Sequence, residues 1–114
     1  MMTLEQLQAY GADTAAGLNR CMNNEAFYLR LVGMELEDAN FDRLRQALSD
    51  QDMRAAFEAA HALKGATGNL GLSPIYDPVC ALTERLRGAD APVDTGDLPQ
   101  RVFQALAALK ALAE

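Results

Sequence analysis

The sequence predicts an all-α protein, an antiparallel, up-and-down four-helix bundle preceded by short N-terminal helical segments. Apolar residues recur at steps of three and four, residues typical of helix caps precede these stretches, and no stretch alternates in the manner of a strand. The 114 residues are 50% hydrophobic but only 6% aromatic, which favours helices packed through small and aliphatic side chains. We expect a single domain over residues 1–114, with a helical cap at residues 1–23 and the bundle at residues 24–114.

The N-terminal residues predict two short helices. Thr3 and Gln6 have the spacing of a capping box, which would open a helix through about Ala9 that stops at Gly11. Asp13 is placed to cap a second short turn. We expect these segments to cover one end of the bundle.

The first bundle helix is predicted to begin at Asn24. Asp38 interrupts its apolar stripe, so the pattern fits either one long helix to about Ser49 or two helices joined near Asn40. The single helix is our preferred interpretation. The predicted stripe consists of Phe27, Leu31, Met34, Phe41, Leu44 and Leu48.

The second bundle helix is predicted over residues 53–69, with Asp52 as its cap and Gly71 as the glycine that ends it. This is the segment that carries the candidate site. Its apolar seam alternates steps of three and four through Met53, Ala56, Ala60, Leu63, Thr67 and Leu70.

Two further helices complete the predicted bundle. Ser73 and Pro74 suit an N-cap and a first turn, but Pro78 implies that the regular helix begins at Asp77 or follows an irregular first turn. The last helix should start near Asp97 and run to about residue 113. The two stripes are Val79, Leu82 and Leu86, and Leu98, Val102, Leu106, Leu109 and Leu112.

Composition excludes several functional classes. A net charge of −6 disfavours nucleic acid, whose phosphates require clustered Lys and Arg. No apolar run approaches the ~20 residues that cross a bilayer, and the N-terminus lacks a secretory pattern, so we expect a cytoplasmic protein. Cys21 and Cys80 lie outside metal-ligand spacings, so we expect no metal site and two buried, reduced thiols.

His61 is the only histidine in the chain. At about 100° per residue it points roughly 130° away from the middle of the apolar seam, which predicts a solvent-facing imidazole. Gly65 lies one turn later on the same face and leaves that face without a side chain, and Gly68 does the same a further turn on. The sequence keeps both glycines although each costs a helix about 1 kcal/mol relative to alanine. Lys64 adds an ammonium beside the ring. The same surface also carries Arg54, Phe57 and Glu58.

This combination favours acceptance of a phosphoryl group from a bulky donor. Neutral imidazole is a nucleophile near pH 7, and a phosphoryl group requires charge neutralisation more than acid–base machinery. The chain has no second histidine and no recognisable nucleophile–base set, which disfavours an enzyme. The pattern G-x-x-G-x-x-G at residues 65–71 does not predict a nucleotide site, because helical residues precede it instead of a strand.

Residues 61–65, HALKG, and residues 69–71, NLG, resemble the signature of histidine phosphotransfer (HPt) domains of bacterial phosphorelays. The family pattern is H-x-L-K-G with an apolar-Gly pair five residues after the glycine, and this chain matches each element. Landmarks similar to the family extend the resemblance to about residues 4–90. Pro78 and Thr83 depart from the family pattern, which affects only the start and packing of one helix.

The resemblance implies a four-helix bundle whose exposed His61 carries a phosphoryl group on Nε2 and exchanges it with the aspartate of receiver domains. Lys64 would stabilise the phosphoryl charge, and Gly65 and Gly68 would leave room for the receiver, although Gly68 could equally permit close helix packing. Phe57 would join a docking patch or be a partly buried core aromatic. Glu58 would orient the ring through Nδ1 or be simply solvated, and Arg54 is a further docking candidate.

By the same resemblance the protein needs no cofactor of its own, because the Mg²⁺ of this chemistry belongs to the receiver. The expected partners are response-regulator receiver domains, a hybrid sensor histidine kinase, or both, and the expected state is a monomer. The sequence leaves open a free-standing shuttle and a piece of a larger sensor kinase, and Met1 together with the full bundle favours the shuttle. The alternative is a helical interaction module that binds receiver-like partners without transferring phosphate.

Overall fold

The computed structural model describes residues 2–114, and over this range the chain forms α-helices and no strand. Met1, the first residue of the predicted cap, lies outside the described residues. The all-α prediction is confirmed. The helices are α1 (Leu4–Tyr10), α2 (Thr14–Arg20), α3 (Glu25–Glu35), α4 (Ala39–Ser49), α5 (Met53–Asn69), α6 (Ser73–Leu86) and α7 (Leu98–Ala113).

The helix α5 lies at the centre of the packing. It packs against both α4 and α6, and α6 in turn packs against α7. The short helices attach to this assembly, α1 to α7 and α2 to α3 and α5. Between residues 2 and 114 no helix combines the length and apolar character that a membrane crossing requires.

The two short N-terminal helices are confirmed. Thr3 Oγ1 accepts from the Gln6 amide at 3.2 Å, and Gln6 Oε1 accepts from the Thr3 amide at 2.9 Å, which completes the capping box. Gly11 ends α1 with a φ of 113°, a left-handed conformation that suits glycine. Asp13 Oδ1 caps α2 by accepting from the Ala16 amide at 3.1 Å.

The single long helix predicted from Asn24 to Ser49 is wrong. Asn24 caps α3 as expected, but α3 ends at Glu35 and a new helix begins at Ala39. Asp38 has an extended backbone and its Oδ1 accepts from the Asn40 amide at 2.8 Å, so it caps α4. An aspartate that bonds forward to the backbone favours a helix start over a helix interior.

Because the helix is interrupted between α3 and α4, the side of α3 that faces the core differs from the predicted one. Tyr28, Val32 and Leu36 are buried, whereas Phe27 is 41% exposed and Met34 is 61% exposed. The predicted stripe joined two helices with different phases, so in its first half only Leu31 packs against the core. Its second half is correct in position, because Phe41 and Leu44 are buried and Leu48 is half-buried.

Glu35 lies at this junction with its carboxyl group partly withdrawn from water. Its Oε2 atom is buried and has no hydrogen-bond partner among the described residues. Burial, assisted by the nearby charge of Asp38, raises the pKa of Glu35 from 4.5 to about 8. The folded protein therefore holds this proton in a range where the unfolded chain releases it.

Stability should consequently fall as the pH rises. The contribution of neutral Glu35 is fully present below the unfolded pKa of 4.5 and is lost as the pH rises through the folded value of about 8. We expect the free energy of unfolding of Glu35→Gln to be higher than that of wild type by on the order of 1–2 kcal/mol at about pH 8.5 and equal to it near pH 5. The difference is no larger because the carboxyl group is only partly buried.

Urea unfolding of wild type and Glu35→Gln at both pH values measures this difference. The exposed neighbour Glu37, changed to glutamine, is the matched control. If the free energies of unfolding of wild type and Glu35→Gln differed by the same amount at both pH values, that result would contradict a raised pKa at Glu35.

The helix α5 has the predicted bounds, and all six seam residues are buried. Gly71 follows it with a φ of 70°. The helix α6 departs from expectation, because it begins at Ser73, with Leu72 in the N-cap position and no side-chain cap. Pro78 lies inside α6, and there it removes only one backbone bond, the one to the Pro74 carbonyl.

The C-terminal helix α7 begins after Asp97 as predicted, and four of its five stripe residues are buried, with Leu112 half-buried. The two cysteines are free thiols. Cys21 is buried as predicted, whereas Cys80 is only half-buried.

Candidate functional site

The imidazole of His61 lies on the solvent side of α5, as the helical phase predicts. The buried seam anchors the opposite face of α5 in the core, so position 61 points outward. Lys64 is half-buried one turn later, and Gly65 is exposed beside it. The helix therefore presents a nucleophilic ring and an ammonium on one accessible surface.

A concavity of about 560 Å³ adjoins this surface. Four of the predicted site residues line it, namely His61, Lys64, Gly65 and Gly68. The other residues lining it come from α2 and its N-cap, from the end of α5 and the loop after it, and from the start of α6: Asp13, Ala16, Arg20, Asn69, Gly71, Ser73 and Tyr76.

The helix α2 forms one wall of this concavity because it is bonded to the end of α5. Arg20 Nη1 donates to the carbonyls of Gly68 at 3.0 Å and Asn69 at 3.3 Å. The Asp13 amide donates to the Gly71 carbonyl at 2.8 Å. These bonds join α2 to the last turn of α5 and to the loop that follows it. Arg20 was not among the site residues predicted from the sequence.

The two glycines of α5 have different surroundings. A Cβ atom added at Gly65 would meet nothing within 4 Å, so this glycine leaves open space above the surface. A Cβ atom added at Gly68 would lie 2.7 Å from Cε1 of Tyr76. Of the two interpretations of Gly68, close helix packing is therefore the one that the geometry favours.

Phe57 stacks on the imidazole one turn before it. The ring centroids of Phe57 and His61 are 5.6 Å apart and the ring planes differ by 16°. The Arg87 guanidinium of the α6–α7 connection lies 5.1 Å from the Phe57 ring centroid. Phe57 is half-buried, so it combines a packing role with contact to the candidate nucleophile.

Glu58 and Arg54 turn towards each other and not towards the imidazole. Arg54 Nε lies 3.9 Å from Glu58 Oε1, and both side chains are well exposed. In residues 2–114 no hydrogen bond joins Glu58 to His61. The structure therefore gives no support to Glu58 as the group that orients the ring, and neither residue lines the concavity beside His61.

Charges near the site are linked through Glu84. Arg87 donates from Nε and Nη2 to the two Glu84 carboxylate oxygens at 3.1 and 3.2 Å. These bonds, and to a smaller extent the charge of Lys64, hold the pKa of Glu84 below its ordinary value. The described residues contain no group of three or more His, Cys, Asp or Glu placed to hold a metal ion.

The family model of the Hpt domain matches residues 30–114, which is more than half of the chain. Neither the curated proteins nor the solved structures that were compared give a significant match. The exposed histidine of α5 lies within the matched segment, as do Lys64 and Gly65. The chain therefore belongs to the Hpt family, the histidine phosphotransfer modules of two-component signalling.

Proposed function

We propose that this protein is a phosphocarrier in a His–Asp phosphorelay. His61 accepts a phosphoryl group from the phosphoaspartate of one receiver domain and passes it to the aspartate of another. The observation that carries this proposal is the position of the only histidine of the chain, which is exposed on α5 with open space at Gly65.

The proposed step needs a neutral imidazole with its proton on Nδ1. The Nε2 lone pair attacks phosphorus, the N–P bond forms, and the O–P bond to the aspartate breaks, which returns that carboxylate to the receiver. The reverse step delivers the group to a second aspartate. No general base is required, because Nε2 carries no proton at the start.

The charge on the phosphoryl oxygens is the main electrostatic requirement of this step. Lys64 is the proposed stabilising cation of this chain, one helical turn from His61. The receiver is proposed to supply the Mg²⁺. Gly65 is the proposed clearance for the receiver, since a side chain at that position would project into the open space beside the ring.

The proposed carrier is a monomer in the cytoplasm, without an ATP site. Its helices α4, α5, α6 and α7 are proposed to form the antiparallel bundle, with α3 as an offset extension of α4. The contacts of α5 with α4 and α6, and of α6 with α7, support this arrangement.

The decisive experiment uses receiver domains that carry labelled phosphate on the aspartate. Each is mixed with wild type and with His61→Gln, and the label is followed by gel. We expect transfer to wild type in an acid-labile form and no detectable transfer to His61→Gln. The variant should keep its helical content, because the exposed His61 side chain makes no hydrogen bond in residues 2–114. Folded wild-type protein that takes no label from any receiver would favour the interaction module without phosphotransfer.

A further inference from the structure

The orientation of the His61 ring depends on one aromatic neighbour. Within residues 2–114 no hydrogen bond involves the imidazole, and the ring is exposed. The side chain that stacks on it is Phe57: the two ring centroids are 5.6 Å apart and the ring planes differ by 16°. An exposed imidazole without hydrogen bonds otherwise samples several rotamers, so the stack is what selects one of them.

The stack is compatible with phosphoryl transfer. Side chains on a helix lean towards the preceding turn, which brings His61 over Phe57 at i−4 and away from Gly65. This near-parallel, offset stack lies against one face of the imidazole and leaves its edge free. The Nε2 lone pair lies in the ring plane, so the atom that attacks phosphorus stays accessible.

Phe57 is itself held from a second element. Arg87 lies over the Phe57 ring at 5.1 Å, and Glu84 binds Arg87 through two hydrogen bonds. Glu84 lies in α6, and Arg87 is the first residue after that helix. Phe57 and His61 both lie in α5. The ring that stacks on His61 is therefore restrained by a cation that a neighbouring carboxylate fixes.

We propose that Phe57 is a positioning residue for phosphotransfer, which acts by holding the His61 imidazole in the orientation that presents Nε2 to the receiver. This inference rests on the proposed function. It assigns Phe57 a role in the rate of transfer and not in the affinity for the receiver, which separates it from a docking residue.

The first test compares Phe57→Leu with Phe57→Tyr. Leucine keeps an apolar contact but cannot stack, and tyrosine keeps the stack. We expect the single-turnover rate from a saturating phosphorylated receiver to fall about tenfold in Phe57→Leu and to stay within about twofold in Phe57→Tyr. The dissociation constant for the receiver should not change in either variant. Phe27→Leu, which removes a partly exposed aromatic ring from α3, is the matched control and should transfer at the wild-type rate.

The second test observes the ring directly. The Hδ2 and Hε1 protons of His61 are followed by NMR, and the stacked Phe57 ring should shift them through its ring current. We expect these signals to move in Phe57→Leu and to stay near the wild-type positions in Phe57→Tyr. Unchanged signals together with an unchanged rate in Phe57→Leu would overturn the proposal. A weaker dissociation constant with an unchanged rate would overturn it in favour of docking.

Failure of the proposed function gives a different result. If wild type accepts no phosphate from any receiver, the phosphocarrier proposal fails, whatever Phe57 does. The NMR comparison of wild type with Phe57→Leu then tests the positioning role alone, because it observes the imidazole without a receiver. Unchanged Hδ2 and Hε1 signals in Phe57→Leu would overturn the positioning role under those conditions.

Discussion

Replacement of Gly65 by glutamine is expected to stabilise the fold and to suppress transfer from a receiver. Gly65 lies inside α5, and a Cβ atom there meets nothing within 4 Å, so a better helix former should add about 0.5–1 kcal/mol to the free energy of unfolding. The same side chain occupies the space proposed for the receiver. We expect the transfer rate to fall about 100-fold, since small displacements of reacting groups have effects of that size.

Urea unfolding and label transfer measure the two effects on the same protein. Gly33→Gln is a matched control, because Gly33 also lies inside a helix, where an added Cβ atom would meet nothing within 4 Å, but on α3. It should gain similar stability and transfer normally. Phosphoramidate, a small donor, should phosphorylate Gly65→Gln at nearly the wild-type rate. Normal transfer from the receiver to Gly65→Gln would contradict the clearance role.

The largest loss of stability is expected from Gly17→Ala. A Cβ atom at Gly17 would overlap the ring of Tyr28, which is fully buried. The Tyr28 hydroxyl donates to the Leu70 carbonyl at 2.8 Å, so the ring cannot move aside without breaking a buried hydrogen bond. We expect a cost of about 2–4 kcal/mol in the free energy of unfolding.

Chemical denaturation of Gly17→Ala measures this cost, and Tyr28→Leu supplies the test of mechanism. If overlap with the Tyr28 ring causes the loss of stability, Gly17→Ala should lower the free energy of unfolding less in the Tyr28→Leu background than in wild type. A double-mutant cycle measures this difference. A loss below about 1 kcal/mol in Gly17→Ala would mean that the Tyr28 ring has room to shift.

Helix boundaries were predictable where local chemistry determines them. The capping residues Thr3, Asp13 and Asp52 act within three residues of their own positions, so their roles can be read without the fold. The division between α3 and α4 was missed because apolar spacing can continue by coincidence across a break. The decisive signal was Asp38, which interrupts the stripe and caps α4.

In the candidate site, too, some features could be predicted from the local sequence and others depend on the fold. The exposure of His61 follows from helical phase alone, and Lys64 and Gly65 lie within one turn of it. The contribution of Arg20 depends on contact between segments 48 residues apart, which no local pattern encodes. Gly65 and Gly68 look equivalent in the sequence, and only the position of Tyr76 distinguishes open space from packing.

The last turn of α5 depends on residues that precede the segment matched by the family. The carbonyls of Gly68 and Asn69 accept from Arg20, and the Leu70 carbonyl accepts from Tyr28. Both donors come before residue 30, where the match begins. A fragment trimmed to the matched segment would lose these donors together. The smallest unit that preserves the support of the phosphoacceptor helix therefore starts before α2, and a domain graft should include it.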